Sequence, residues 1–235
     1  MKIIVLYPQI CRKSATALAN AIGAQAENPY QSEKKDYRDY DLVINYGCNR
    51  NIKANRLING AKAVACCIDK LRTFTVLKEA GGINIPEFTT NAAKVKDWPC
   101  VVVRHDVDGA GNKGMRYIDP QDQDIPDAPL YTKYFAHHKE YRVVVVPVKN
   151  GITSCNVYEK VQKNDEWTLT LVDSIHFDDM KAHCLKAADA LRIDYVGFDV
   201  VMNKQKQFVI LEANSGPIIT DEAITAFKKM LKNVV

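Results

Sequence analysis

The apolar residues of this chain fall into two kinds of pattern, which change near residue 69. Before that point, short continuous apolar runs, typical of buried strands, alternate with stretches of helical spacing. The apolar runs predict strands at 2–7, 41–45 and 63–67. A helix capped by Ser14 is predicted through Ile22, ended by Gly23, and residues 56–60 suggest a short helix. Strands that alternate with helices indicate a small open α/β domain.

After residue 69, two amphipathic helices are separated by a series of strands. Asp69 is the predicted N-cap of a helix over 70–80, and a second helix runs from Asp178 or Asp179 to Leu191. The apolar runs predict strands at 99–104, 115–118, 130–135, 141–148, 151–160, 167–172, 196–202 and 208–214. Strands that follow one another without helices between them favour an antiparallel sheet.

The last two predicted strands, 196–202 and 208–214, form a hairpin across the polar stretch 204–207. A four-residue turn there pairs Asn203 with Phe208 and gives the hairpin one wholly apolar face. The residues of that face are Phe198, Val200, Met202, Val209, Leu211 and Ala213. A strand pair packed on a core needs such a face, so the pattern favours this register.

The same register places Asp199 opposite Glu212, with Asn214 two residues further along the same face. Opposed residues have Cβ atoms about 5 Å apart, and like charges at that distance destabilise a strand pair. Oxygen ligands of this kind suit Mg²⁺ or Mn²⁺. These three residues are therefore the candidate metal ligands. The alternative is a solvent-facing hairpin edge on which two acids happen to be opposed.

Composition places the chain among ordinary globular proteins and excludes several classes of protein. Its 235 residues are 47% hydrophobic and 26% charged, with a formal net charge of +4. No basic run with interleaved aromatic residues indicates nucleic-acid binding. The seven cysteines form no C-x-x-C pair and their number is odd, which argues against a disulfide framework and for a reducing compartment. The apolar run 3–7 is too short for a signal or membrane segment, so we expect a cytoplasmic protein.

A glycine-rich segment, 109–114, lies between the predicted strands 99–104 and 115–118. Glycines let backbone N–H groups approach an anion closely, and Lys113 adds a positive charge. Because the segment lies between two strands, it does not have the strand–loop–helix setting of a P-loop. It is either an anion-binding loop or the tip of a hairpin.

Two arginines lie in predicted strands. Arg104 ends the strand before the glycine-rich segment, and Arg142 is followed by four valines. Burying a guanidinium without an anionic partner is costly. Glu140 projects from the same face as Arg142, which leaves two interpretations open. The two residues form a structural ion pair, or they line a polar wall on which Glu140 binds ribose hydroxyls and Arg142 binds phosphate or a carboxylate intermediate.

In their order along the chain, these segments resemble the ATP-grasp superfamily. The resemblance covers roughly residues 60–220. Its most specific part is the ending Gly197-Phe-Asp199 with Glu212-Ala-Asn214, which looks like the superfamily's G-x-D and E-x-N signature. The weaker matches are, in order, Asp69-Lys70, Ala80–Pro86, Trp98–Arg104, the glycine-rich segment, Tyr131–Phe135 and Glu140–Val143.

The resemblance implies an α/β (α+β) architecture, the ATP-grasp fold. In this fold a small N-terminal open α/β domain precedes two α+β subdomains, whose antiparallel sheets clasp a nucleotide. The corresponding domains are residues 1–68 and 69–235. Within the second, a small subdomain with the glycine loop spans about 86–133, and a metal-binding subdomain spans about 134–235.

The resemblance also implies roles for individual residues. The three candidate ligands would hold magnesium, with Glu212 bridging two ions. Arg142 and Lys113 are the candidate catalytic residues, and Arg142 would stabilise an acyl phosphate and the tetrahedral state after it. The candidate nucleotide-binding residues are Lys70, Arg104, Gly109, Gly111, Lys113, Gly114, Lys133, Tyr134, Phe135 and Glu140. Arg104 stands where the superfamily usually has a lysine, and a guanidinium also binds phosphate.

The function implied by the resemblance is ATP-dependent carboxylate–amine ligation through an acyl-phosphate intermediate. The implied cofactors are ATP and Mg²⁺ or Mn²⁺. The implied partners are a small-molecule or peptide carboxylate and an amine acceptor, with no nucleic acid or membrane. One alternative keeps the same site and changes the acceptor: a small-molecule kinase that phosphorylates an alcohol. Another, from a different class, is a non-catalytic nucleotide-binding module, against which the set of Asp199, Glu212 and Asn214 weighs. The sequence leaves the oligomeric state open.

Overall fold

The computed structural model describes residues 1–32, 36–108, 114–121, 123–149, 152–163, 166–172 and 174–232. Three β-sheets are found in that part of the chain: a four-stranded N-terminal sheet, a four-stranded small sheet and a five-stranded large sheet. The first is parallel and the other two are antiparallel. The expected mixed α/β architecture is therefore confirmed.

The N-terminal sheet has the strand order β2-β1-β3-β4. Its strands are β1 (Ile3–Leu6), β2 (Gln25–Glu27), β3 (Leu42–Asn45) and β4 (Leu57–Ile58). Both central strands are buried along their whole length, as their continuous apolar runs predict. Helix α1 (Arg12–Ile22) has Cys11 at its N-cap instead of the predicted Ser14, and it is followed by Gly23, whose φ of 68° costs a glycine little.

Two elements predicted in the N-terminal region are wrong. Residues 56–60, expected to be helical, contain strand β4, because Leu57 and Ile58 pair with Val43 and Ile44 of β3. Residues 63–67, expected to be a buried strand, lie in helix α2 (Ala61–Ile68). An apolar run of five residues fits a buried strand and a buried helix equally well, so packing against the rest of the molecule decides between them.

Helix α3 (Lys70–Ala80) and the small sheet follow. Asp69 caps α3 by accepting a hydrogen bond from the Arg72 backbone N–H at 2.9 Å, which confirms the predicted start of this helix. The small sheet has the order β5-β8-β6-β7. Its strands are β5 (Phe88–Thr89), β6 (Val101–Arg104), β7 (Met115–Ile118) and β8 (Leu130–Lys133).

The large sheet has the order β11-β10-β9-β12-β13. Its strands are β9 (Lys139–Lys149), β10 (Ile152–Lys163), β11 (Glu166–Leu171), β12 (Val196–Met202) and β13 (Phe208–Asn214). One face packs on helix α4 (Asp178–Leu191), which has the predicted bounds, and on α2 and α3. Part of the other face packs on α5 (Asp221–Lys232) and the N-terminal sheet, and the rest of that face is open.

Helix α5 is not among the predicted elements, although its sequence carries a helical pattern. Its buried residues are Ala223, Ala226, Phe227 and Leu231, which lie on one side of a helix. No helix among the described residues is long and apolar enough to cross a membrane. All seven cysteines are described and none is in a disulfide, as expected.

The predicted register of the β12–β13 hairpin is partly wrong. Met202, not Asn203, pairs with Phe208, so the loop has one more residue than predicted. A β-bulge then places one extra residue, Leu211, in β13, and beyond it Asp199 pairs with Glu212 as predicted. The bulge also changes the core face of β13, which consists of Phe208, Ile210 and Ala213 instead of Val209, Leu211 and Ala213.

Asn59 joins the N-terminal sheet to the large sheet. Its side chain is fully buried, and its Oδ1 accepts hydrogen bonds from the backbone N–H groups of Asp194 at 3.0 Å and Tyr195 at 2.9 Å. Its Nδ2 donates to the Tyr195 carbonyl at 2.7 Å. Since Tyr195 directly precedes β12, these bonds set the position of the N-terminal sheet beside that strand.

Candidate active site

A cleft of about 670 Å³ lies between the small sheet and the large sheet. This volume is in the range of small-molecule sites in proteins. Small-sheet residues such as Val102, Met115 and Tyr117 form one wall. The opposite wall is the open face of the large sheet and carries charged residues from β9, β10, β12 and β13. They are Glu140, Arg142, Lys160, Asp199 and Glu212.

Asp199 and Glu212 are brought together in this cleft. They are direct partners in the β12–β13 ladder, which confirms the predicted pairing, and both line the cleft together with Asn214. Their side chains are mostly buried, with exposed fractions of 19% and 24%. Two carboxylates so close together and so shielded from water need positive charge nearby.

Protein cations supply positive charge to each of these acids. Arg142 Nε donates to Asp199 Oδ1, and Lys160 Nζ donates to Asp199 Oδ2 at 3.0 Å. Lys70 Nζ lies 3.4 Å from Glu212 Oε1, and its side chain is only 5% exposed. Asp199 is therefore shared by two cations, one of which, Lys160, also lies 3.6 Å from Glu140.

The interpretation of Glu140 and Arg142 as an ion pair is wrong. Arg142 stands opposite Asp199 in the β9–β12 ladder, and its guanidinium reaches across to that residue. Glu140 lies 3.6 Å from Lys160 Nζ and 3.6 Å from His137 Nε2. Because both Glu140 and Arg142 line the cleft, the geometry favours the polar-wall interpretation.

Two buried nitrogens of the cleft lack a hydrogen-bond partner among the described residues, Arg104 Nε and Asn214 Nδ2. Arg104 is 7% exposed, and burial lowers the pKa of its guanidinium, while the charge of Glu212 acts in the opposite direction. Its Nη1 contacts Met115 Sδ. Buried polar groups are normally hydrogen-bonded, so these two side chains indicate a polar ligand in the cleft.

The glycine-rich segment is only partly described. Gly109, Gly111 and Lys113 lie outside the described residues, so their predicted roles stay predictions. Gly114 begins the return into β7, with a φ of 73° that strongly favours glycine. Its carbonyl accepts a hydrogen bond from the His105 backbone N–H at 3.0 Å, which closes the β6–β7 connection.

The predicted hinge residues Lys133, Tyr134 and Phe135 all line the cleft. Lys133 Nζ lies 2.8 Å from Glu87 Oε1, at the exposed rim. The Tyr134 ring packs edge-on against Tyr117, with centroids 5.6 Å apart. This aromatic pair gives the small-sheet end of the cleft an apolar surface.

Lys160 and Trp167 are cleft residues that the sequence analysis missed. Lys160 Nζ lies 4.5 Å from the centroid of the Trp167 ring, in cation–π contact. Lys160 is also the direct ladder partner of Glu140, which explains why it faces the cleft. The alternation of strand residues could have identified Lys160. Once β9 and β10 are paired through Glu140, every second residue of β10 lies on the face that lines the cleft.

The oxygen atoms of Asp199, Glu212 and Asn214 are donors of the kind that a hard divalent cation prefers. No group of three His, Cys, Asp or Glu side chains in the described part of the chain has the geometry to hold a metal ion. The candidate set is instead two carboxylates and the amide of Asn214, whose nitrogen has no protein partner among the described residues. Oxygen donors of this type suit Mg²⁺ or Mn²⁺, provided that the amide oxygen is the third ligand.

Comparison with known proteins gives one family and a group of similar structures. The ATP-grasp domain family matches residues 67–218, more than half of the chain. No curated protein sequence matches significantly. D-alanyl-alanine synthetase A from Vibrio cholerae has 14% identity and a TM-score of 0.68, over 99% of this chain and 93% of that one.

Two further solved structures illustrate the range of these neighbours. Carboxyaminoimidazole ribonucleotide synthase from Aspergillus clavatus, complexed with ATP, has 17% identity and a TM-score of 0.65, over 91% of this chain and 70% of that one. The ATP-grasp ligase PsnB, complexed with a variant of its minimal precursor, Mg and ADP, has 14% identity and a TM-score of 0.65, over 96% of this chain and 93% of that one. At these identities the likeness establishes the fold.

Proposed function

This chain belongs to the ATP-grasp family, and we propose that it is an ATP-dependent ligase that activates a carboxylate as an acyl phosphate and joins it to an amine. The observation that carries the proposal is the arrangement around Asp199. This carboxylate is opposite Glu212, close to Asn214 in the same cleft, and shared by Arg142 and Lys160. Similar structures include a synthase complexed with ATP and a ligase complexed with Mg and ADP.

The reaction consists of two transfers. A carboxylate oxygen of the substrate attacks the γ-phosphorus of ATP, the bond from that phosphorus to the bridging oxygen breaks, and ADP leaves. The amine nitrogen then attacks the carbonyl carbon of the acyl phosphate. The carbon–oxygen bond breaks, phosphate leaves with the electron pair, and the amine loses a proton. Activation is needed because a carboxylate is a poor electrophile at neutral pH.

The charged residues of the cleft match the charges of this reaction. Arg104 would bind phosphate oxygens, since its guanidinium is buried and one of its nitrogens has no partner among the described residues. Arg142 and Lys160 would hold the substrate carboxylate and stabilise the negative charge of the acyl phosphate and of the tetrahedral state. Most of the catalytic effect would come from positioning and electrostatic stabilisation.

The two acids and Asn214 would hold the divalent cation. Asp199, Glu212 and Asn214 supply oxygen donors from two neighbouring strands. When bound, the cation would neutralise charge on the transferring phosphoryl group. Lys70 would keep Glu212 in place through their contact at 3.4 Å.

The substrates we propose are a small-molecule or peptide carboxylate and an amine.

All seven cysteines are free, which supports the expected reducing, cytoplasmic location.

Trapping with hydroxylamine tests the proposal. An acyl phosphate reacts with hydroxylamine to give a hydroxamate, so we expect ADP and a hydroxamate to form together when ATP, Mg²⁺ and a pool of carboxylic acids are supplied. Glu212→Ala and Asn214→Ala should lose both products. Full ATP turnover in both variants would remove the proposed metal site. A phosphorylated alcohol without hydroxamate would identify a kinase instead.

A further inference from the structure

The cleft has two apolar regions on opposite sides of its charged residues. One includes apolar residues of the small sheet, such as Val102, and Leu211 of β13 on the large sheet. The other lies at the far side of the large sheet, on β11, and consists of Trp167 and Leu169. Four strand spacings separate β11 from β13, a distance of about 19 Å at ~4.8 Å per spacing. One nucleotide base cannot contact both regions, so the second region is available to another ligand.

The apolar region on β11 has the pattern of a covered surface, although β11 is the edge of the sheet. Trp167 and Leu169 alternate with the exposed Thr168 and Thr170 and therefore lie on one face of the strand. Trp167 is 43% exposed towards the cleft. Leu169 packs against the core cluster that includes residues of α5, whereas Trp167 stays partly exposed at the cleft, where an apolar ligand would cover it.

A third apolar residue, Ile218, lines the cleft from the chain after β13. That segment crosses the face of the sheet, since Thr220 Oγ1 lies 2.8 Å from Tyr158 Oη on β10. Ile218 lines the cleft and is 49% exposed. The preceding residue, Pro217, lies beside Gly197 of β12, so this segment runs from β12 to β10. Two separate parts of the chain thus place apolar side chains in the cleft.

The charged group nearest to this end is Lys160, whose ammonium lies 3.0 Å from Asp199 Oδ2 and 3.6 Å from Glu140 Oε2. Lys160 is the ladder partner of Leu169 and lies against the Trp167 ring, and Arg142 is on the next strand. An anionic head group at these cations and an apolar body on β11 would satisfy both features. We infer that the carboxylate substrate bears an apolar body, aromatic or branched aliphatic, held by Trp167, Leu169 and Ile218. This inference rests on the proposed ligase function.

Acid selectivity tests the inference. Hydroxamate formation is measured with benzoate and 3-methylbutanoate as apolar acids, and with acetate and glutamate as small and polar acids. The wild-type protein is expected to prefer the apolar acids by at least about tenfold in kcat/KM. Trp167→Ala and Ile218→Ser should each lower that preference roughly tenfold.

A matched control lies on the same strand. Leu171 faces the same side of β11 and is 44% exposed, but it does not line the cleft. Leu171→Ser should keep the wild-type preference. If Trp167 served only to position Lys160, Trp167→Ala would slow apolar acids and acetate equally, and that result would overturn the inference. Equal wild-type rates with glutamate and the apolar acids would also overturn it.

A binding measurement separates this inference from the ligase proposal. Trp98→Phe leaves Trp167 as the single tryptophan, since the chain has two. With Mg²⁺ and ADP present, benzoate should change its fluorescence in a saturable way, and Ile218→Ser should weaken the apparent affinity. If no acid yields a hydroxamate but this titration saturates, the ligase proposal fails and the apolar site stands. If benzoate leaves the fluorescence unchanged, the apolar site fails.

Discussion

Two strand pairs of the large sheet flank β9 and contribute to the same cleft in different ways. The β12–β13 pair supplies two acids and an amide, whose ladder positions bring them together. The β10–β11 pair supplies Lys160 and an apolar surface. We propose that the first pair serves the ATP phosphates and the second serves the carboxylate substrate.

The two pairs also differ in how firmly they are held. β12 and β13 are buried along most of their length, and their loop is closed by Asn203, whose Oδ1 accepts from the backbone N–H groups of Gln205 at 3.0 Å and Gln207 at 2.9 Å. β11 lies at the edge of the sheet and is largely exposed. Metal and phosphate contacts need closely fixed positions, whereas apolar contact is not directional. Substrate selectivity can therefore change at β11 without disturbing the β12–β13 pair.

The largest expected effect comes from Glu212→Gln, which removes one of the paired charges and keeps the shape of the side chain. We expect carboxylate-dependent ADP formation to fall by at least about 10²-fold, because the variant would be a weaker ligand for the proposed metal ion where charge develops. The matched control is Glu159→Gln on β10, since Glu159 lies 2.9 Å from Lys139 and does not line the cleft. A fully active Glu212→Gln protein would contradict the proposed role of β13.

Gly197→Ala tests how closely β12 fits its neighbours. A Cβ atom there would lie 2.7 Å from Pro217 Cβ and 2.9 Å from Arg142 Cδ. We expect Arg142 to be displaced from Asp199, ADP formation to fall roughly 10- to 100-fold, and the free energy of unfolding in urea to drop by about 1–3 kcal/mol.

The control for that change is Gly60→Ala, because a Cβ atom at Gly60 would have no neighbour within 4 Å. Gly60→Ala should keep full activity and stability. If Gly197→Ala also kept wild-type activity and stability, β12 would not be held as firmly as the comparison of the two strand pairs states.

Lys160→Met addresses the β10–β11 pair. It removes the ammonium that lies 3.0 Å from Asp199 and keeps an unbranched side chain of similar length. Hydrogen bonds between charged groups contribute about 1.5–3 kcal/mol, so we expect the rate to fall about tenfold or more, but less than with Glu212→Gln. Lys139→Met, at a more exposed lysine paired with Glu159, serves as the control and should retain the rate. If Lys160→Met lowered the rate more than Glu212→Gln does, the β10–β11 pair would contribute more to the reaction than the β12–β13 pair, contrary to our expectation.

The smallest effect is expected from Asn203→Ala in the β12–β13 loop. Losing the two hydrogen bonds to Asn203 Oδ1 should lower the free energy of unfolding by about 1 kcal/mol, because both bonds are solvent-exposed. Urea unfolding measures this change, with Lys204→Ala in the same loop as the control. Activity should stay normal, and a large loss of activity would show that the loop itself serves the site.

The β12–β13 site could be predicted because its chemistry constrains the sequence. Two acids and an amide on one strand face need fixed residue types at fixed spacing, and this leaves a local signal. The pairing of Asp199 with Glu212 was nevertheless reached through two errors that cancel, since the loop is one residue longer than predicted and the bulge at Leu211 compensates. Local periodicity does not reveal an extra residue of this kind.

The rest of the site depends on neighbours that are distant in sequence. Lys160 cannot be told from any other strand lysine until β10 is paired with β9. Arg142 shares a strand face with Glu140, but it binds Asp199, because its long side chain reaches the adjacent strand. Helix α2 was predicted as a strand for the same reason, since its buried side is defined by what packs against it.

The bulge in β13 has a consequence for what a single strand can offer a ligand. Successive side chains of a regular strand point in opposite directions, so adjacent residues do not meet the same molecule. The inserted Leu211 relaxes this restriction, and both Leu211 and Glu212 line the cleft. The apolar side chain of Leu211 and the carboxylate of Glu212 therefore lie next to each other on the same side of the strand. This combination suits an amphiphilic ligand such as a nucleotide.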